Sequence, residues 1–233
     1  MSMLPPSRWF PPAEEADAEG IVGFGGRLQP DWLLDAYQHG IFPWPTGMPG
    51  MPIPWCSPDP RAVIELDRFH VPRRLARTCR RGRLTVTRDQ DFHGVICGCA
   101  ACDGRRGQTW LIPAMIQAYE RLHELGYAHS VEVWQEERLA GGVYGVAVAG
   151  LFAAESMFHT FRDASKVALV HLVEHLRQQG YVLLDIQQLT PHTAQFGAVE
   201  ISRREYLRRL GEALRLPVSF TQTRSPPLQS PTT

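Results

Sequence analysis

The segment between Phe42 and Arg61 constrains the fold of this 233-residue chain more than any other stretch. It contains seven prolines within the sequence GIFPWPTGMPGMPIPWCSPDPR. Proline lacks a backbone N–H donor and fixes its own φ angle, so this segment can be neither a helix nor a central strand. We therefore predict a loop here, which separates a small N-terminal domain, residues 1–62, from a larger domain, residues 63–215.

Hydrophobic periodicity predicts regular elements on both sides of this loop. The predicted helices are residues 30–39, 71–81, 113–126 and 164–180. The predicted strands are residues 61–67 and 83–89, three strands of an antiparallel meander within 129–158, and residues 181–187. A strand, a helix and a further strand after a meander predict a mixed sheet in an α/β (α+β) fold.

Composition is that of an ordinary globular protein, with 44% hydrophobic and 21% charged residues. The 24 basic and 24 acidic residues cancel, so net charge gives no information about partners. We find no signal peptide and no apolar run long enough to span a bilayer, and we expect a cytoplasmic protein without membrane association. Residues 216–233, rich in proline and serine, are expected to form a disordered tail.

Three cysteines lie close together in Cys97-Gly-Cys99-Ala-Ala-Cys102. Thiolates at short spacing can bind zinc or an iron–sulfur cluster, but no fourth ligand stands at a recognisable spacing. On a helix the three thiols would also spread around the axis. We therefore predict small buried apolar side chains and no metal.

Charge and aromatic residues are unevenly distributed. Residues 68–88 contain eight arginines and no acidic residue, which favours a surface that binds phosphate. A solvated helix face paired with acids elsewhere remains an equal alternative.

Trp44 and Trp110 lie in predicted loops, where a tryptophan can stack on a nucleotide base and contribute about 1–3 kcal/mol to binding. Filling the core remains the alternative for each tryptophan.

Polar side chains interrupt two apolar strands. Asp185 and Gln187 occur in YVLLDIQ, and Glu155 ends the apolar run of AAESMF. Side chains alternate along a strand, so Asp185 and Gln187 should project to the same face. Buried carboxylates need partners or belong to a site, and a hydrogen bond to the backbone or an arginine remains open for each. No serine-nucleophile motif or Walker loop accompanies them.

Nine short motifs follow in one order between Gly40 and Tyr206. They are GIFPW, WCSPDPR, QTW, RLHELGYAHSVEVW, GGVYGV, ESMF, ASK, DIQ and HTAQFGAVEISRREY. In this order they resemble the bacterial leucyl/phenylalanyl-tRNA–protein transferase family. The resemblance implies a small N-terminal domain and a C-terminal domain with a GNAT-like acyltransferase fold.

The resemblance also implies an activity. Members move leucine, phenylalanine or, less efficiently, methionine from aminoacyl-tRNA to the N-terminal arginine or lysine of a protein, which marks that protein for degradation by the N-end rule. We expect no cofactor and a monomer.

Roles for particular residues follow from the same resemblance. Gln187 contacts the attacking amine, Asp185 polarises or orients Gln187, and Glu155 faces an ammonium group. Trp44 and Trp110 enclose the terminal adenosine of the tRNA. The pocket for the apolar side chain is lined by Val143, Phe152, Met157, Leu169 and Leu172. The arginines that hold the acceptor stem are Arg73, Arg74, Arg77, Arg80, Arg81 and Arg83.

Two positions depart from the family pattern. Cys56 stands where the family has a second tryptophan, and Leu172 stands where an aromatic ring is expected, which would widen the pocket.

Three other functions remain open from the sequence: a tRNA-binding protein without transfer activity, an N-acyltransferase that uses acyl-CoA, and a thiol-bound metal protein. Asp185 and Gln187 favour the enzyme over the first, and the missing pyrophosphate loop disfavours the second.

Overall fold

The computed structural model describes residues 4–45, 50–102 and 111–221. The described strands are β1 (Ile21–Phe24), β2 (Phe42–Pro43), β3 (Pro54–Cys56), β4 (Arg61–Ile64), β5 (Thr85–Arg88), β6 (Ala128–Gln135), β7 (Arg138–Val148), β8 (Leu151–His159), β9 (Leu183–Gln187) and β10 (Ala198–Ile201). The described helices are α1 (Pro30–Gln38), α2 (Arg73–Arg80), α3 (Phe92–Cys102), α4 (Pro113–Glu124), α5 (Ala164–Gln179), α6 (Pro191–Ala194) and α7 (Arg203–Ala213).

The strands form a small sheet, in the order β1-β3-β2, and a large sheet, in the order β10-β4-β9-β8-β7-β6-β5. Neighbouring strands of the large sheet are antiparallel except β8 and β9, which are parallel. Helix α5 makes the crossover between these two strands, as a parallel pair requires. The prediction of a mixed α/β sheet is therefore confirmed.

Both faces of the large sheet are buried. Leu183 of β9 packs into one hydrophobic core with α1, α3, α4 and α7, whereas Leu184 packs into the other core with α2 and α5. Strands covered on both faces have long apolar runs instead of strict alternation. This explains why the sequences of β7, β8 and β9 are almost continuously hydrophobic.

The predicted helices occur as α1, α2, α4 and α5, and the predicted meander occurs as β6, β7 and β8. Proline begins α1 and α4, where its missing N–H breaks no helical hydrogen bond. Gly180 ends α5 with a φ of +86°, a left-handed conformation that glycine adopts without strain. Within the described ranges no helix is both long enough and apolar enough to cross a membrane.

The prediction that the proline-rich segment contains no central strand is wrong. β3 is the middle strand of the small sheet. Pro54 is tolerated there because it is the first residue of the strand and contributes its carbonyl oxygen, which accepts a hydrogen bond of 2.9 Å from the Trp44 backbone. The buried Trp55 that follows donates its indole N–H to the Gly25 carbonyl at 2.8 Å.

Both ends of the chain pack against the larger unit. Leu33, Tyr37 and Trp55 belong to the same hydrophobic core as Tyr144 of β7, so the division at residues 62 and 63 stays a prediction. Phe220 is buried in the other core and Val218 packs against it, so this part of the expected tail is not disordered. The remainder of that tail, residues 222–233, lies outside the described residues.

We expect Trp55→Ala to lower the free energy of unfolding by about 3–5 kcal/mol, because it leaves a cavity at the centre of the small sheet. Trp55 is only 1% exposed and contacts the rings of Phe10 and Trp32. Urea unfolding followed by circular dichroism measures the change. Phe24→Ala in β1, where the side chain is 63% exposed, is the control and should change stability by less than about 0.5 kcal/mol. Equal losses in both variants would contradict the central position of β3.

Candidate active site

A cavity of about 340 Å³ opens where β8 and β9 separate. Their parallel pairing runs from Leu151 and Leu183 to Ala153 and Asp185, and both strands continue beyond that point. Residues of both strands line the cavity past the last pair. The separation of two parallel neighbours therefore provides the room for a ligand.

Two β-bulges distort the strands at this point. Glu155 is the extra residue of β8 against β7, and Ile186 is the extra residue of β9 against β4. Gln187 has a φ of +56°, which is unusual for a residue with a side chain. Bulges of this kind are common beside active sites. The tyrosines that bond Asp185 and the Glu155 partner of Gln187 belong to the same hydrophobic core, as expected for two residues that project to one face.

Asp185 is completely buried and accepts four hydrogen bonds. Arg61 donates Nε to Oδ1 at 2.9 Å and Nη2 to Oδ2 at 2.6 Å, and Tyr206 donates its hydroxyl to Oδ2 at 2.9 Å. The backbone N–H of Gln187 donates to Oδ1 at 2.9 Å. Asp185 and Gln187 are thus neighbours, but the carboxylate holds the backbone of Gln187 and does not contact its side-chain amide.

Arg61 is enclosed as tightly as the carboxylate it binds. Its guanidinium lies 4.7 Å from the Phe42 ring centre and 4.4 Å from the Tyr206 ring centre, and its Nη1 donates to the Gly40 carbonyl at 3.1 Å. Burial lowers the pKa of Arg61, but the Asp185 carboxylate more than offsets this effect, so the pKa is raised above its ordinary value. The arginine is therefore always charged.

The side-chain amide of Gln187 contacts Glu155. Its Nε2 donates to Glu155 Oε1 at 3.1 Å, and the Tyr119 hydroxyl donates to Glu155 Oε2 at 3.0 Å. Tyr37 Oη lies 2.7 Å from Tyr119 Oη, and Tyr37 also forms a hydrogen bond with the Glu155 carboxylate. Because the amide nitrogen bonds the Glu155 carboxylate, the side-chain oxygen of Gln187 can accept a hydrogen bond from another donor.

Burial raises the pKa of Glu155 to about 7, although hydrogen bonds from Tyr37 and Tyr119 lower it. The Asp185 carboxylate raises this pKa further and Arg61 lowers it. Burial also raises the pKa of Tyr119 well above its ordinary value, so the phenol stays a donor. A carboxyl group that titrates near neutral pH can exchange protons with a bound substrate.

Three of the five predicted pocket residues line the cavity: Val143, Met157 and Leu169. Phe152 and Leu172 do not line it. Both pack in the hydrophobic core between α5 and the large sheet, where Phe152 stacks on Phe220 with ring centres 5.6 Å apart. The departure from the family pattern at Leu172 therefore lies in the core and does not widen the cavity wall.

The residues predicted to bind the adenosine are only partly described. Trp44 is 38% exposed and its ring meets Phe42 edge to face, with centres 6.0 Å apart. Trp110 lies outside the described residues, so the enclosure of a base by two tryptophans stays a prediction. At Cys56, the other departure, burial raises the thiol pKa to about 11, so this cysteine is a protonated, partly buried side chain of β3.

The six predicted phosphate-binding arginines lie on α2 and in the turn after it, and all are exposed: Arg73, Arg74, Arg77, Arg80, Arg81 and Arg83. Across the described ranges no ion pair joins any of them to a carboxylate. The alternative of a helix face paired with acids elsewhere therefore finds no support. Four of them line a second cavity of about 240 Å³, together with Arg162.

The cysteines of α3 point in different directions. Cys99 is buried in the core, whereas Cys97 Sγ lies 3.6 Å from Nε2 of the exposed His93. The side chain of Cys102 lies outside the described residues.

Among the described residues one group of side chains stands close enough to hold a metal ion: Asp89, His123 and His129. These groups already have protein partners. His129 lies 2.8 Å from the Asp89 carboxylate and 3.1 Å from the Gly126 carbonyl, and His123 lies 2.8 Å from the Ala128 carbonyl.

Sequence reasoning missed the partners that fix the site, above all Arg61. A signal was present, because Arg61 begins the apolar strand RAVI, and a buried carboxylate in the same sheet needs an opposite charge. Tyr37, Tyr119 and Tyr206 gave no such signal. They occupy apolar helix faces, where a tyrosine is indistinguishable from any other core side chain.

The fold and the cavity define a mixed α/β protein that can bind a partly apolar substrate beside a carboxyl and an amide group. Residues 63–211 match the family described as leucyl/phenylalanyl-tRNA protein transferase, and residues 26–59 match the N-terminal domain of the same family. The transferase of this name from Nitratidesulfovibrio vulgaris (strain DP4) is 51% identical over 219 residues, which cover 93% of this chain and 92% of the relative. The one from Anaeromyxobacter sp. (strain Fw109-5) is 51% identical over 216 residues, 92% of this chain and 91% of the relative. The chain therefore belongs to the leucyl/phenylalanyl-tRNA protein transferase family, whose members are aminoacyltransferases.

Solved structures are more distantly similar. FemX has a TM-score of 0.46 at 12% identity, with 75% of this chain and 67% of that chain covered. A GCN5-related N-acetyltransferase from Kribbella flavida has a TM-score of 0.37 at 11% identity, with 78% and 59% covered. Similarity at this level supports no conclusion, so the GNAT-like fold expected for the C-terminal domain stays a prediction.

We expect Arg61→Met to lower the free energy of unfolding by about 3–5 kcal/mol, because it leaves the Asp185 charge buried without a partner. The double variant with Asp185→Leu should recover part of this loss, which a double-mutant cycle in urea measures. Arg208→Met is the control, since Arg208 pairs with Glu205 and Glu212 at the exposed surface, where an ion pair contributes little to stability. An Arg61→Met variant no less stable than the control would rule out a structural role for the buried pair.

Proposed function

We propose that this protein transfers leucine, phenylalanine and, less efficiently, methionine from aminoacyl-tRNA to the N-terminal arginine or lysine of acceptor proteins. It acts as a cytoplasmic monomer, and the transferred residue marks the acceptor for N-end rule degradation. The family match over most of the chain supports the transfer reaction. The observation that carries the chemistry is the hydrogen-bonded pair of Gln187 and Glu155 on the wall of a cavity that also has an apolar surface.

The donor ester is already activated, so no covalent enzyme intermediate is required. The enzyme holds the acceptor amine against the carbonyl carbon and lets a proton leave the nitrogen. Gln187 accepts a hydrogen bond from the amine through its side-chain oxygen. Asp185 positions Gln187 by holding its backbone N–H, which fixes the left-handed conformation of that residue.

The apolar wall accepts the side chain of the donor amino acid. Val143, Met157 and Leu169 line the cavity beside the polar pair. Leucine, phenylalanine and methionine share an unbranched Cβ, whereas valine and isoleucine carry a second substituent there that would collide with the wall. Selection by shape of this kind discriminates by about 10- to 200-fold per methylene-sized difference.

The exposed arginines of α2 and the following turn hold the tRNA by its phosphates. Contacts of this kind position a nucleic acid without reading its sequence. In this proposal Trp44, which is 38% exposed, stacks on a base together with Trp110.

We expect label from phenylalanyl-tRNA to appear in a peptide that begins with arginine and not in the same peptide beginning with alanine. Thin-layer or mass analysis of the peptide measures the transfer. Asp185→Ala should lower turnover far more than it weakens donor binding, because Asp185 acts through Gln187. Intact tRNA binding without labelled peptide would leave a tRNA-binding protein and overturn the proposed function.

The affinity for tRNA should fall steeply with salt, by about 0.7–0.9 log units per log unit of salt for each phosphate contact. Arg74→Ala and Arg77→Ala should each reduce the slope by about one contact. Filter binding at several salt concentrations measures the slope, with Arg208→Ala as the control because surface glutamates already pair with that side chain. A slope that the first two variants leave unchanged would remove the arginines from the interface.

A further inference from the structure

Glu155 carries a carboxylate that lines the cavity and also binds the side-chain amide of Gln187. Oε1 accepts a hydrogen bond from Gln187, Oε2 accepts one from Tyr119, and Tyr37 also bonds this carboxylate. The two oxygens together offer about four lone-pair positions, so three such bonds leave room for a further proton. The Glu155 carboxylate can therefore accept a proton on the cavity wall, close to any substrate group that Gln187 binds.

Asp185 cannot serve the same purpose. Its carboxylate is fully buried, accepts four hydrogen bonds and forms an ion pair with Arg61. Taking up a proton there would leave the Arg61 guanidinium buried without a counter-charge, which costs several kcal/mol. The amide of Gln187 is not basic enough to accept a proton near neutral pH.

We propose that Glu155 accepts the proton of the attacking amine, while Gln187 positions the amine. The inference rests on the proposed function. The amine nitrogen forms the new C–N bond to the carbonyl carbon and releases one proton to a Glu155 oxygen. The C–O bond to the ribose breaks, its electron pair stays on the ribose oxygen, and this oxygen takes the proton from Glu155.

The surroundings of Glu155 decide at which pH it can act. Titratable and charged groups face it from five elements: Tyr37 of α1, Tyr119 of α4, Tyr144 of β7, Asp185 of β9 and Arg61 of β4. His159 and His192 line the same cavity. Burial raises the pKa of Glu155 to about 7, so the ionised form that accepts a proton disappears as the pH falls below this value. The Tyr119 hydrogen bond lowers this pKa, and its removal raises the pH at which activity is lost.

The test is the pH profile of single-turnover transfer from phenylalanyl-tRNA to an arginine peptide. The wild-type rate should fall with unit slope below the acceptor amine pKa of about 7.7–8.0 and with a slope of two below a pH near 7, where Glu155 is protonated as well. Glu155→Gln should lose at least about 100-fold in rate, and its remaining acid limb should be that of the acceptor amine, whose pKa is about 7.7–8.0. Tyr119→Phe should move the Glu155 limb to higher pH and keep most of the rate at the plateau. Glu200→Gln, an exposed residue of β10, is the control and should match wild type.

Each result decides for or against the role. Glu155→Gln with the wild-type rate and profile would overturn the inference, and so would loss of the limb in His192→Gln instead. An unchanged profile in Tyr119→Phe would also overturn it, which keeps the test decisive should Glu155→Gln not fold. Transfer by the wild-type protein confirms the proposed function independently. No transfer by that protein overturns both.

Discussion

The buried ion pair of Arg61 and Asp185 connects most of the elements around the cavity. Arg61 begins β4, directly after the proline-rich segment, and Asp185 lies in β9, its neighbour in the large sheet. The guanidinium also binds the Gly40 carbonyl and packs between the rings of Phe42 and Tyr206. One pair of charges therefore joins the small sheet, the large sheet and α7. Two buried charges cost desolvation energy, so a pair of this kind contributes more to a defined geometry than to net stability.

That geometry extends to the cavity wall through the backbone. Asp185 binds the N–H of Gln187, two residues further along β9, and this bond accompanies a β-bulge and a positive φ. The side chain of Gln187 then turns toward Glu155, which is itself the extra residue of a bulge in β8. The amide and the carboxylate that meet at the cavity wall thus both lie at irregular strand positions. Strain at such positions persists only where surrounding contacts fix it.

Local patterns in the sequence predicted the helices, the meander and the polar residues of β8 and β9. Apolar periodicity and terminal glycines and prolines are short-range signals, and they identified α1, α4 and α5. The path of β3 could not be predicted, because the tolerance of Pro54 depends on which of its groups the neighbouring strands use. The contact between Asp185 and the backbone of Gln187 depends on a bulge, which a strict alternation of side chains does not contain. Phe152 and Leu172 have the composition of a pocket wall, but residues of the core have the same composition.

The two carboxylates beside the cavity differ in their partners, and this difference assigns their work. Asp185 faces a permanent positive charge and has every hydrogen-bonding position filled, so it can hold its neighbours but cannot exchange a proton without disrupting them. Glu155 accepts its hydrogen bonds from neutral donors, tyrosine hydroxyls and the Gln187 amide, and it lines the cavity. The surroundings stabilise the charge of Asp185 more fully than that of Glu155. Asp185 is therefore suited to a structural role and Glu155 to a reactive one. Peptide-bond formation from an activated ester requires both, a rigid frame for the amine and one group that takes its proton.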